Sequence, residues 1–192
     1  FKLVYKEGEI KKGRNLLAFE VAKRNVSNFL KVEQESIKNG DAIKILALEE
    51  TFARQLTHPN LPFPVLIKGN VDRIEERNGI IRIIDYKTGK VEKASVTLKT
   101  WEALTEDIKT DKITQVLAYA YMYEQEAKDK PIEAGIISFK NLKAGFLPFN
   151  FKEDKEIYSI INEEILSNYL EQMVLLLSEI LDENVPFEEK LI

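Results

Sequence analysis

Residues 65–89 read VLIKGNVDRIEERNGIIRIIDYKTG, and this stretch decides the fold. Two runs rich in Val and Ile, 65–75 and 79–86, meet at the pair Asn78-Gly79. An Asn-Gly pair between two such runs is a strong β-hairpin signal, because both residues tolerate the left-handed backbone of a tight turn. The sequence therefore predicts two antiparallel strands joined by a two-residue loop.

The loop also determines which residues face each other across the hairpin. If Asn78-Gly79 is the loop, Arg77 pairs with Ile80, and the same register places Asp72 opposite Asp85. Lys87 follows Asp85 by two residues and therefore lies on the same face. Because opposed like charges destabilise a sheet, this face predicts one of two arrangements. Either a divalent cation lies between the aspartates, or Lys87 simply neutralises one of them at the strand end.

The rest of the chain mixes helices and strands without strict alternation, which predicts an α/β fold with a mixed, helix-flanked sheet. Residues 42–52 are ambiguous, since their apolar positions fit a strand or a helix. The proline-rich residues 57–64 predict a loop, and residues 87–110 are charged and irregular. The other predicted elements are a helix over 16–37 with Leu16, Phe19, Ala22, Val26, Phe29 and Leu30 on one face, a helix over 111–128, strands over 134–140 and 145–151, and a final helix carrying Ile157, Ile161, Leu166, Tyr169, Met173, Leu177 and Leu181.

The composition excludes several classes of function. The chain has 192 residues, which fits a single domain, and it contains no cysteine and one histidine, His58. Disulfides, thiolate zinc sites, iron–sulfur clusters and histidine-rich metal sites are therefore excluded, and any metal must be bound by oxygen ligands, which favours magnesium, manganese or calcium. No apolar run approaches the roughly 20 residues of a membrane span. The net charge of −4 counts against a stand-alone nucleic-acid binder but allows a local basic patch.

Three motifs carry a resemblance to a known family. Asp72, followed by Asp85-Tyr86-Lys87 after an apolar run, resembles the signature of the PD-(D/E)XK nucleases. More narrowly, GNVDRIE and IIDYKTGK resemble the RecB-like branch, of the AddB and RecB C-terminal nuclease type. A later Q-x-x-x-Y motif of that branch is matched by Gln115 and Tyr119, which share one face of the predicted helix.

The resemblance implies a restriction-endonuclease-like core, with a mainly antiparallel sheet flanked by helices, and it favours a strand for residues 42–52. It also implies Mg²⁺ or Mn²⁺ as the cofactor and DNA as the substrate. The residue roles that it implies are metal binding by Asp72, Asp85 and the main-chain carbonyl of Tyr86, catalysis by Lys87, and an upstream acidic residue at Glu49 (or the adjacent Glu50). Gln115 and Tyr119 are expected to contact DNA or to support the site, and Arg73 and Thr88 are expected to bind DNA.

The chain departs from the RecB-like pattern in two respects. Many members carry a metal-binding histidine on a helix upstream of the acidic motif, whereas His58 lies in the proline-rich loop. The chain begins at Phe1 without a methionine, so we expect a single domain over 1–192 from a longer protein, with that histidine lost or located upstream. Some relatives also bind an iron–sulfur cluster through four cysteines, which this chain lacks.

The resemblance leads to two functional expectations. The first is a magnesium-dependent deoxyribonuclease of the exonuclease type, which acts in cytoplasmic DNA recombination and repair beside a helicase or ATPase region or subunit. The alternative is a catalytically inactive nuclease-like domain that binds DNA or a partner protein. The trio Asp72, Asp85 and Lys87 favours the nuclease, since a domain that only binds does not need these three side chains.

Overall fold

A computed structural model describes residues 12–186 of the chain. The helices are α1 (Gly13–Lys38), α2 (Ala103–Glu106), α3 (Asp111–Tyr123) and α4 (Glu163–Leu181). The strands are β1 (Ile43–Leu56), β2 (Val65–Arg77), β3 (Ile80–Lys87), β4 (Thr97–Leu98), β5 (Ile132–Ser138), β6 (Phe146–Pro148), β7 (Asn150–Glu153) and β8 (Glu156–Tyr158).

The main sheet contains five strands in the order β1-β2-β3-β5-β6. Every neighbouring pair is antiparallel except β3 and β5, which are parallel and are connected through α3. Strands β4, β7 and β8 form a smaller second sheet. This mixed, mainly antiparallel sheet with flanking helices confirms the predicted fold class, and β1 confirms the strand interpretation of residues 42–52.

The predicted hairpin forms with the predicted loop. Asn78 and Gly79 have φ values of 53° and 86°, the left-handed conformation that a tight hairpin turn requires. Arg77 pairs with Ile80, and the register continues without a shift to Arg73 and Ile84. The Asn-Gly signal therefore predicted both the turn and the pairing.

The two faces of the main sheet carry different types of side chain. On one face, Ile74, Ile83 and Ile136 are fully buried in the apolar core, together with Val116 and Leu117 of α3. Helix α4 packs beyond α3 and closes this core. The opposite face carries charged side chains of β2 and lies under α1. The alternation of strand side chains thus divides the sheet into an apolar face and an ionic face.

Helix α1 confirms a predicted helix but corrects its predicted apolar face. None of its residues is buried, and Val26 and Leu30 are 52% and 59% exposed. The strand face beneath α1 presents charged side chains of β2 as well as the buried Ile84 and Ile137, so the helix is held by ions and by part of its predicted apolar face. Glu33 forms an ion pair with Arg73, and the Phe29 ring packs edge-on against Tyr86 at 5.5 Å.

The C-terminal third corrects two predicted elements. The strand predicted over 145–151 is divided between the two sheets at the buried Phe149, whose N–H donates to the carbonyl of Ala134 at 2.8 Å. The final helix begins only at Glu163, because the Asn162 side chain caps it, so Ile157 and Ile161 precede it.

The helix predicted over 111–128 ends as an α-helix at Tyr123 and continues as a 3₁₀ turn, Glu124–Ala127. The predicted irregular segment 87–110 contains the short elements β4 and α2. Across residues 12–186, no helix combines the length and the apolar character needed to cross a bilayer.

Candidate active site where β2 and β3 separate

The site forms where backbone pairing between β2 and β3 stops. Arg73 and Ile84 are the last paired residues. The next residue beyond this pair is Asp72 on β2 and Asp85 on β3. Strand β3 continues beside β5 as far as Lys87, so it leaves β2 at this point. The Asp72 side chain spans the opening, because its Oδ2 accepts a hydrogen bond of 2.7 Å from the main-chain N–H of Tyr86.

A run of polar contacts connects Asp85 to helix α3. Lys87 Nζ lies 2.8 Å from Asp85 Oδ2 and donates to Gln115 Oε1 at 2.9 Å. Gln115 Nε2 in turn donates to the Tyr119 hydroxyl at 2.8 Å. The structure thus brings together residues of two sequence motifs that are up to 34 positions apart in the chain, from Asp85 to Tyr119, and Asp72 adds a third motif through its contact with Tyr86.

The electrostatics of the site centre on Asp85. Its side chain is buried, and this burial raises the pKa of the carboxyl, as does the negative charge of Asp72, while the Lys87 ammonium opposes both. Asp85 Oδ2 is a buried oxygen without a hydrogen bond, since its contact with Lys87 is an ion pair without hydrogen-bond geometry. Burial also raises the pKa of Tyr119, whose hydroxyl therefore remains protonated at neutral pH.

A close approach of α3 to β2 depends on Gly69. A Cβ atom at this position would lie 2.9 Å from Cε1 of Tyr119 and 3.2 Å from the methyl carbon of Met122. Because real Cβ contacts are essentially never shorter than 3.0 Å, any side chain at residue 69 would push Tyr119 away. The glycine of the GNVD motif therefore allows the Gln115–Tyr119 pair to lie over the strands.

Glu49 lies on the neighbouring strand, level with Asp72. Its neighbours in β1 pair with Arg73 and Val71, which places Glu49 between these pairs. Its φ of 49° is unusual for a strand residue, and its exposed side chain accepts a hydrogen bond of 3.2 Å from Asn70 Nδ2. Backbone strain of this kind is concentrated at functional positions and supports Glu49 over Glu50, whose backbone is regular.

Arg73 points to the ionic face, away from the two aspartates. Its side chain is buried and forms ion pairs with Glu33 and Glu75. It also donates to the Tyr86 hydroxyl at 3.3 Å. This position argues against direct contact of Arg73 with DNA and favours a role in supporting the site. Thr88, in contrast, is exposed directly after β3.

Sequence reasoning missed the ionic cluster of Glu33, Arg73, Glu75 and Arg77. A signal was present, because Arg73, Glu75 and Arg77 alternate with the apolar face of β2. The missing partner, Glu33, is 40 residues away from Arg73 in the chain, and no local pattern connects the two.

The site offers oxygen ligands of the kind that a hard divalent cation prefers. They are the carboxylates of Asp72 and Asp85 and the main-chain carbonyl of Tyr86, and the buried Asp85 Oδ2 is in an ion pair with Lys87 at 2.8 Å. Within residues 12–186, no group of three or more Asp, Glu, His or Cys side chains is arranged to hold a metal. Mg²⁺ suits such a set, since it retains several waters and is commonly held by one or two carboxylates.

The comparison with protein families agrees with this geometry. The family model of the PD-(D/E)XK nuclease superfamily matches residues 7–190, which is nearly the whole chain. The five-stranded sheet with its flanking helices is consistent with a restriction-endonuclease-like fold. No curated protein matches the chain.

Proposed function

Because the chain belongs to the PD-(D/E)XK nuclease superfamily, we propose that it is a metal-dependent nuclease that hydrolyses phosphodiester bonds in DNA. The proposal rests on one observation. Two separate motifs meet in a single run of contacts, from Asp85 through Lys87 and Gln115 to Tyr119, and Asp72 of a third motif contacts the Tyr86 main chain beside it. A domain that only binds DNA has no need for a buried carboxylate paired with a lysine at a gap in its sheet.

In this proposal Asp72, Asp85 and the main-chain carbonyl of Tyr86 hold Mg²⁺ or Mn²⁺. When bound, such an ion polarises the phosphate and lowers the pKa of an attacking water. Lys87 orients that water or stabilises the negative charge that develops on the phosphate. Gln115 fixes the direction of the lysine side chain, and Tyr119 fixes the amide of Gln115 by occupying its nitrogen.

The finer assignment rests on the resemblance of the GNVDRIE, IIDYKTGK and Q-x-x-x-Y motifs to the RecB-like branch. We propose an exonuclease of cytoplasmic DNA recombination and repair that works beside a helicase or ATPase region or subunit. Glu49 is the upstream acidic residue in this assignment. Thr88, exposed after β3, is the proposed contact to the DNA backbone.

The proposal is tested by cleavage of labelled single- and double-stranded DNA with magnesium. Lys87→Ala should reduce the rate at least about 100-fold while metal binding, measured by calorimetry, is retained, because an ammonium is not a metal ligand. Asp72→Ala should lose both metal binding and cleavage. Lys128→Ala is the matched control, since this exposed lysine follows the far end of α3. The assay uses the full-length protein, because a metal-binding histidine upstream of residue 1 is expected if it is not lost. Full-length protein that cuts neither substrate with magnesium or manganese would refute the proposal.

A second candidate is a nuclease-like domain that binds DNA without cutting it. The side chain of Glu49, which is engaged by Asn70, is the observation that favours it, since the two aspartates then lack a third carboxylate. The same assay separates the two functions. Binding of DNA without cleavage under any divalent metal would establish the second candidate.

A further inference from the structure

Lys112 extends the row of site residues on α3 toward the solvent. Lys112, Gln115 and Tyr119 are three and four positions apart and therefore lie on one side of the helix. Tyr119 is buried and Gln115 is half-buried, whereas the Lys112 side chain is 31% exposed. The row thus leads from the core beneath the aspartates to the surface beside them.

The Lys112 ammonium belongs to a residue one helical turn from Gln115 and is weakly engaged. Its ion pair is with its own neighbour, Asp111, at 3.1 Å, and the Asp111 side chain is 62% exposed. An exposed pair of this kind contributes at most about 1 kcal/mol, so an anionic ligand displaces it at low cost.

A cation at the rim also suits the charge of the proposed substrate. A divalent ion held by Asp72 and Asp85 would offset their charge, and the Lys87 ammonium is already in contact with Asp85 and Gln115. A DNA strand that approaches the aspartates brings further negative charge on each side of the reacting phosphate. A lysine at the rim compensates for that charge without entering the reaction itself.

We propose, on the basis of the nuclease function above, that Lys112 binds a backbone phosphate of the DNA strand adjacent to the phosphate that is cleaved. Lys112 is then a substrate-positioning residue that sets the affinity for DNA. Its contact is made equally in the ground state and the transition state. Its loss therefore raises KM and leaves kcat nearly unchanged.

Steady-state cleavage of labelled DNA over a series of salt concentrations tests this role in the wild type, Lys112→Gln, Lys112→Arg and Lys128→Gln. Lys112→Gln should raise KM about tenfold with kcat within about twofold of the wild type. The slope of log KM against log salt should fall by about 0.7 to 0.9, the value for one lost phosphate contact. Lys112→Arg should restore both quantities.

Lys128 provides the control because it lies beyond the opposite end of α3, roughly 20 Å from Lys112 along the helix axis. Lys128→Gln should leave KM and the salt slope unchanged. Thermal melts of each variant verify folding, and Lys112→Arg keeps the test valid if Lys112→Gln is unstable.

The outcomes separate this inference from the proposed function. If the wild type cuts DNA and Lys112→Gln has unchanged KM and salt slope, the role of Lys112 is refuted and the nuclease function stands. A loss of kcat at unchanged KM also refutes it. If the wild type neither cuts nor binds DNA, both proposals fail.

Discussion

The substitution Glu75→Gln tests how much the buried ionic cluster on the α1 side of the sheet contributes to stability. Glu75 is fully buried, and its carboxylate lies between the guanidinium groups of Arg73 and Arg77. The arginine side chains are only 7% and 11% exposed. Glu75→Gln preserves the shape of the side chain and removes its charge, so it isolates the electrostatic contribution.

The expected loss of stability follows from what remains after the substitution. Breaking a buried ion pair by removing one partner costs about 3 to 5 kcal/mol, because the other charge is left uncompensated. Here Glu33 still reaches both arginines at 2.8 Å and offsets part of this loss. We therefore expect Glu75→Gln to lower the free energy of unfolding by about 3 kcal/mol, a large share of the 5 to 15 kcal/mol typical of a domain.

Urea denaturation followed by circular dichroism measures this difference. Glu35→Gln on α1 is the matched control, since its ion pair with Lys38 is exposed and contributes at most about 1 kcal/mol. A loss below about 1 kcal/mol in Glu75→Gln, similar to the control, would refute the view that this cluster joins α1 to the sheet.

Two further substitutions test the packing and the electrostatics of the site. Gly135→Ala should destabilise the fold by about 3 kcal/mol or more in the same assay, because a Cβ atom would lie 2.2 Å from the Leu147 carbonyl oxygen on the neighbouring strand. Gly89→Ala is the control, and it should change stability by less than about 1 kcal/mol because the space around Gly89 is open. Equal effects of the two substitutions would contradict this packing argument. Burial raises the pKa of Asp85. The free energy of unfolding therefore falls as the pH rises above the ordinary aspartate range, because the folded protein must then keep a buried carboxylate ionised. Asp85→Asn should therefore have a thermal midpoint at least as high as the wild type at pH 7, with the difference vanishing in acid, and a lower midpoint at pH 7 would contradict the assigned burial cost.

The parts of the structure that the sequence predicted are those governed by local rules. A two-residue loop leaves one register for its hairpin, so Asn78-Gly79 was enough to place Arg73 opposite Ile84, the last pair before Asp72 and Asp85. The i and i+4 spacing of Gln115 and Tyr119 placed both on one face of α3 in the same way. The contact between Gln115 and Lys87 was not predictable from spacing, because it depends on how α3 crosses the sheet.

The incorrect predictions concern elements whose packing partners are not indicated by the local sequence. The apolar periodicity of α1 predicted a helix, but it contained no information about the sheet face beneath it, which carries buried ions of β2 beside Ile84 and Ile137. The strand predicted over 145–151 had uniform β character, and its division at Phe149 reflects two different neighbours, β5 on one side and β4 on the other. In both cases the missing information was tertiary.

Adjacent residues of β2 stabilise the gap at the site from opposite faces. Beyond the last backbone pair, the Asp72 carboxylate accepts from the Tyr86 main chain, and the Arg73 guanidinium donates to the Tyr86 hydroxyl. The Tyr86 ring is held in addition by stacking on Phe139, with ring centroids 5.5 Å apart. Because side chains alternate along a strand, consecutive residues of the motif lie on opposite faces, Asp72 toward the candidate site and Arg73 on the ionic face. Arg73 therefore supports Tyr86 from the side of the sheet that faces away from the two aspartates.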